Sequence, residues 1–108
     1  MTKLDPDDGY AVLINTFEVE PDHVDELIAI LQEATEGVMR NVPGFKSANL
    51  HVSDDRTRVV NYAQWESRDA FAKMKDFPGA GEHMGKAASI AMSFNPVIYS
   101  LRFSDSKR

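Results

Sequence analysis

The chain has no cysteine among its 108 residues. That removes disulfide frameworks, thiolate nucleophiles, iron–sulfur clusters and the usual cysteine-bound zinc from consideration. Clustered cations are missing as well: 12 Lys and Arg stand against 17 Asp and Glu, for a formal net charge of −5, and no basic block occurs. Nucleic-acid binding relies on grouped cations that release counterions from phosphate, so no nucleic-acid partner is expected. No apolar run approaches the roughly 18 residues that a membrane span requires. Residues 1–9 show neither the basic start nor the apolar stretch of a secretion signal. The expectation is a soluble, cytoplasmic protein with no membrane partner. Phosphate loops of the GxGxxG or P-loop type and the GxSxG elbow of serine hydrolases are absent too, and Gly79-Ala80-Gly81 follows a proline, not a strand.

What is present is globular. Apolar residues make up 43% of the chain and charged residues 27%, a profile that excludes overall disorder. The length allows one domain with a thin core. Residues 10–103 carry its elements, while the polar segment 1–9 and the charged tail 104–108 are expected to be flexible. Tyr10 to Glu20 reads as a first strand, broken by Pro21-Asp22. Val24, Leu27, Ile28, Leu31, Ala34, Val38 and Met39 then recur at the spacing of one helix face, which Val42-Pro43-Gly44 ends. Phe45 to Ser53 and Thr57 to Glu66 form a hairpin around Asp54-Asp55-Arg56. Ser67 caps a short helix through Ala70, Phe71 and Met74, Ala80 to Met92 reads as a third helix, and Phe94 to Phe103 as the last strand.

Strand, helix, two strands, a helix pair and a strand make the split βαβ order of an α+β, ferredoxin-like sandwich. Helices then cover one face of the sheet only. The strands nevertheless carry apolar residues of both parities, such as Val12 and Ile14 against Leu13 and Phe17. A half-solvated sheet would alternate cleanly, so a homodimer packed sheet against sheet is expected.

Polar groups depart from the core pattern on one parity. Asn61, Ala63 and Trp65 project to one face of the third strand, and Asn15 shares a face with Leu13 and Phe17 on the first. A buried amide without partners costs about 1–3 kcal/mol, so such residues need a structural bond or a ligand. If the two strands are neighbours, both amides and the indole N–H face one small apolar pocket, the anatomy of a small-molecule site. The histidines, His23, His51 and His83, show no metal-ligand spacing, and no metal is expected from spacing. His83 lies beside the apolar face of its helix, next to Met84, at a cavity edge or in solvent. His51 depends on register: paired with residue 59 it joins Asn61 and Trp65, and one residue away it faces the dimer partner.

The segment Asn61-Tyr-Ala-Gln-Trp-Glu-Ser67, with Val42-Pro-Gly-Phe45, Ser47-Ala-Asn-Leu-His51 and Asp69-Ala-Phe71, resembles the antibiotic biosynthesis monooxygenase family, particularly its small quinone-forming oxygenases of polyketide pathways. The resemblance implies a dimeric α+β barrel in which O₂, as co-substrate, oxidises a polycyclic phenol or anthrone-like aromatic to a quinone with no cofactor. It implies catalytic roles for Asn61, Trp65 and His51, the last as proton acceptor. Asn15, Phe17, Phe71, Met74, His83 and Met84 are the expected substrate-binding residues. Relatives place a tyrosine at Phe71 and an arginine on the last helix, where this chain offers the region of Gly85 and Lys86. Two other readings stand beside this one. The first is a haem-degrading monooxygenase of the same superfamily, to which Asn15 and His83 would correspond, with Met74 near the place of its Trp. The second is a non-catalytic dimer that binds a small ligand.

Overall fold

Alternating β-rich runs and amphipathic segments give the expected order in a computed structural model that describes residues 1–107. The elements are β1 (Ala11–Glu18), α1 (Val24–Gly37), β2 (Phe45–Val52), β3 (Arg58–Trp65), α2 (Arg68–Met74), α3 (Ala80–Ile90) and β4 (Ser93–Ser100). The four strands form one antiparallel sheet in the order β2-β3-β1-β4, the α+β, ferredoxin-like arrangement. β4 stops at Ser100, short of the expected Phe103, because Ser100 pairs with Ala11, the first residue of β1, and no strand lies beyond it to pair with.

Local chemistry sets the boundaries. Pro21 opens a single 3-10 turn that leads into α1, with Asp22, Asp25 and Glu26 near the positive helix start. Ser67 caps α2, its Oγ accepting from the Ala70 N–H at 3.1 Å. Gly44 turns the chain into β2 at φ +90°, and a Cβ there would sit 2.5 Å from the Ala70 side chain. Only glycine allows both the left-handed turn and the close approach of α2. The β2–β3 hairpin is closed by Asp55, whose carboxylate accepts from Thr57 and Ser53 and is held at about 2 by those bonds.

The helices lie over one face of the sheet. Beneath them, Phe17, Val19, Val24, Leu27 and Val59 form one buried cluster, and Ala11, Leu13, Ala63, Trp65 and Met74 belong to a second. Among the described residues no helix covers the other face. Val12, Ile14, Val60 and Val97 occupy its centre, flanked by Tyr62 and Tyr99.

Two residues of the segment 1–9, which is expected to be flexible, hydrogen-bond to this outer face. Thr2 Oγ1 donates to Asn49 Oδ1 at 3.0 Å, and Gln64 Nε2 donates to the Lys3 carbonyl at 2.7 Å. Burial pushes the Tyr62 phenol pKa up, with the charge of Asp8 adding to the effect. The segment has partners because β2 and β3 present amides there: Gln64 is buried and also accepts from Ser47 Oγ. At the other end Ser104–Lys107 adopt no regular structure, and Arg108, part of the expected flexible tail, lies outside the described residues.

Candidate active site

The alternation of side chains along β1 and β3 builds the floor of a cavity. Asn15 pairs with Asn61, Leu13 with Ala63 and Ala11 with Trp65, and the odd-numbered residues of both strands face the helices. Cross-strand partners bring their Cβ atoms within roughly 4.5–5.5 Å of each other, so the two amides are immediate neighbours. Ala48 of β2 pairs with Ala63, and two alanines side by side leave room where larger side chains would close the layer.

The resulting cavity has a volume of about 390 Å³. That falls within the ~300–1,000 Å³ usual for small-molecule sites. Leu31 and Thr35 of α1, with Met39 in the 3-10 turn that follows it, form one wall, and Phe71 and Met74 of α2 with His83, Met84 and Ala88 of α3 contribute the rest of the helical cover. Phe17, Phe94 and Pro96 close the β1–β4 side. Depth is readable from exposure: Trp65 at 2% and Ala63 at 2% lie at the bottom, whereas Met84 at 40% and Phe94 at 49% mark the mouth.

Trp65 is fixed by aromatic edges on both sides. The Phe45 ring meets it at 5.5 Å and 81°, and the Phe71 ring at 5.8 Å and 68°, both edge-to-face. Phe71 thus keeps the aromatic contact of the expected tyrosine position without a hydroxyl. Among the described residues, the buried side-chain polar atoms that lack a hydrogen-bond partner are Asn15 Oδ1, Asn61 Oδ1 and Trp65 Nε1, and all belong to residues of this cavity. Each orphaned group costs about 1–3 kcal/mol, a cost that a bound molecule offering oxygens and hydroxyls would remove. Turning an Asn amide by 180° exchanges acceptor for donor, so each can meet a phenol O–H or an oxyanion at the same place. The indole N–H donates only.

The structure brings together Asn61, Trp65, Asn15, Phe17, Phe71, Met74, His83 and Met84 on one cavity. His51 is the exception and corrects the expected site. It pairs with Val60, not residue 59, and is exposed on the outer face of the sheet. The cause is a bulge: Phe45 pairs with Trp65 but Ser47 with Gln64, leaving Lys46 unpaired between them. One extra residue moves every later side chain of β2 to the opposite face. Phe45 therefore points into the cavity while His51, of the same parity, points away.

Sequence reasoning overlooked the wall from α1, the alanine pair 48 and 63, and Lys75, which follows α2 at the cavity mouth. The alanines were the available signal, since strand centres favour β-branched and aromatic side chains and Ala there marks space. Among the described residues no three His, Asp or Glu side chains gather at a metal-sized site.

Comparison with known proteins follows the same outline. The profile of the antibiotic biosynthesis monooxygenase family matches residues 11–84, from β1 into α3. The tetracenomycin-F1 monooxygenase of Streptomyces glaucescens is 37% identical over 91 residues, which cover 84% of this chain and 81% of that protein. The monooxygenase from the gene ActVA-Orf6 of Streptomyces coelicolor, solved in complex with the ligand nanaomycin D, is 32% identical. It superposes with a TM-score of 0.85 over 96% of both chains. SnoaB of Streptomyces nogalater, a cofactor-independent oxygenase, shares the fold at 21% identity and a TM-score of 0.73, over 89% of this chain and 96% of that one. With a family profile that spans the whole cavity floor and a relative of 37% identity along most of the length, the chain belongs to the antibiotic biosynthesis monooxygenase family.

Proposed function

We propose that the cavity is the active site of a monooxygenase that uses O₂ to oxidise a polycyclic phenol or anthrone-like aromatic to a quinone without a bound cofactor. The observation that carries this reading is the set of unpartnered polar atoms on Asn15, Asn61 and Trp65, gathered at the floor of a mainly apolar cavity. The names of two relatives above 30% identity, both monooxygenases, support the reaction class.

The chemistry balances within the substrate. An anthrone CH₂ and O₂ give a quinone C=O and water: one oxygen atom stays on carbon and the other leaves with both hydrogens. No outside reductant is required. The difficulty is kinetic, since triplet O₂ reacts slowly with a closed-shell molecule until the substrate has lost a proton and become an electron donor. Hydrogen bonds from Asn61 and Trp65 to the substrate oxygen stabilise that anion, and the same donors hold the peroxide formed when O₂ adds to carbon. The proton passes to solvent at the mouth; the O–O bond then breaks as the second C–H proton leaves and the carbonyl forms. Apolar walls around the reacting carbon strengthen these interactions by keeping bulk water away.

The test is O₂ uptake by chelator-treated protein with a hydroxylated anthrone. Removing one oxyanion donor costs about 10²–10³ in turnover, so Trp65→Phe and Asn61→Ala should each slow the reaction by that factor. No uptake above background across a panel of polycyclic phenols and anthrones, or a rate that ignores both substitutions, overturns the reading. The haem-degrading alternative finds Asn15 and His83 on the wall but a thioether, Met74, where it expects an indole. The oxygenase reading is the better fit.

The same proposal includes a homodimer. The outer face offers Val12, Ile14, Val60 and Val97 as a contiguous apolar centre, the kind of surface that a second sheet covers. Sedimentation should give twice the 12.1 kDa chain mass, and Ile14→Lys should give the single-chain mass. Wild-type protein sedimenting as one chain at micromolar concentration refutes the dimer.

A further inference from the structure

The indole N–H of Trp65 donates along one direction, so its use to a substrate oxygen depends on how the ring is held. Nε1 is buried with no hydrogen-bond partner, and no bond within the protein orients the indole. Packing has to do so instead. Phe45 of β2 and Phe71 of α2 supply it, both edge to face, at 5.5 Å and 5.8 Å.

The backbone beside these rings is tied at one point. Gly44 precedes Phe45 and Ala70 precedes Phe71, and a Cβ on Gly44 would lie 2.5 Å from the Ala70 Cβ. The Gly44 carbonyl also accepts from the N–H of Glu66, the residue after Trp65, at 2.7 Å. Phe45 and Trp65 are themselves cross-strand partners. Residues 44, 66 and 70 thus join the three stretches that carry Phe45, Trp65 and Phe71, and none of the three lines the cavity.

We propose that Phe45, held by the contact of Gly44 with Ala70, is a positioning residue: its ring edge fixes the plane of Trp65 so that the indole N–H meets the oxygen of the bound substrate. The inference rests on the reading of the cavity as an oxygenase site. An aromatic ring at position 45 restrains the indole through its edge-to-face preference, whereas an aliphatic side chain fills the space with no preferred angle. A tilted donor loses the hydrogen bond to the developing anion but leaves the apolar contacts that bind the ring system. Phe45 therefore acts on turnover more than on affinity.

A double-mutant cycle on O₂ uptake, with a hydroxylated anthrone, tests this. Phe45→Leu should lower kcat about ten- to hundredfold and change KM by less than about threefold, while Phe45→Tyr, which retains the ring edge, should stay within about threefold of wild type. Phe45 borders the cavity, so its own contact with substrate has to be separated from its action through the indole. In a Trp65→Phe background Phe45→Leu should cost less than about a further twofold in kcat. The tryptophan band of near-UV circular dichroism, which here reports Trp65 alone, should collapse in Phe45→Leu and survive in Phe45→Tyr without any turnover. Gly44→Ala, one methyl outside the cavity lining, should reproduce both losses; should it fail to fold, the Phe45 variants still decide. Losses in kcat that multiply in the double variant, or a tryptophan band that ignores Phe45→Leu, overturn the positioning role and leave the cavity as an active site. No O₂ uptake by the wild type overturns the oxygenase reading, and the positioning role with it.

Discussion

Two halves of one layer, both lying between the same sheet and the same helices, are built for opposite ends. In the first, Val19, Val24, Leu27 and Val59 are the largest fully buried side chains of the molecule, and branched residues from β1, α1 and β3 fill the space. In the second, alanines at 48 and 63 withhold volume, rings at 45, 65 and 71 stand edge to face around the gap, and polar atoms are left without partners. The first half holds the fold together. The second spends some of that stability on a preformed binding site, the arrangement expected where function requires unsatisfied groups. The two halves meet at Phe17, but Val19, Val24, Leu27 and Val59 lie outside the cavity lining, so a thin core keeps a fully packed part beside its site.

Substitutions in each half sharpen the contrast. The largest effect is expected in the packed half: Leu27→Ala should cost about 2–5 kcal/mol in denaturant unfolding, the usual range for a buried Leu. Because Leu27 does not line the cavity, the protein that remains folded should bind an aromatic ligand with unchanged affinity. Loss of ligand affinity in step with stability would mean that the halves are coupled. A smaller effect of opposite sign is expected in the hollow half. Asn61→Leu exchanges a half-buried amide whose buried Oδ1 has no partner for an apolar side chain of similar size, and should raise stability by about 1 kcal/mol while abolishing turnover. A variant that loses stability would show that the amide has a structural partner after all, and would remove the main support for the site.

Much of this was legible before any coordinates. Period-two alternation in β1 and β3 put Asn15, Asn61 and Trp65 on the helix-covered face, and the split βαβ order made those strands neighbours, so the floor of the site followed from parity and topology together. The helix starts were legible from Pro21 and Ser67 because capping chemistry is local. What was not legible depends on events that parity cannot register. His51 was lost to a bulge, since nothing in Phe45-Lys46-Ser47 marks where an extra residue enters the ladder. Lys75 was missed because an exposed lysine after a helix looks like any solvated charge, and only the third dimension shows that its stem borders a cavity. The bonds of Thr2 and Lys3 were not legible because their partners, Asn49 and Gln64, lie 47 and 61 residues away in sequence.

The unpaired Lys46 also bears on how relatives of this chain should be compared. A gapless alignment of β2 with a relative whose strand runs straight sets inward residues against outward ones from Ser47 onward. Substitution patterns read from such an alignment would assign the cavity's constraints to the face that points away from it. Where a relative lacks the bulge, a one-residue gap at position 46 restores the correspondence, and a histidine opposite His51 in the ungapped version would then belong to a different surface altogether.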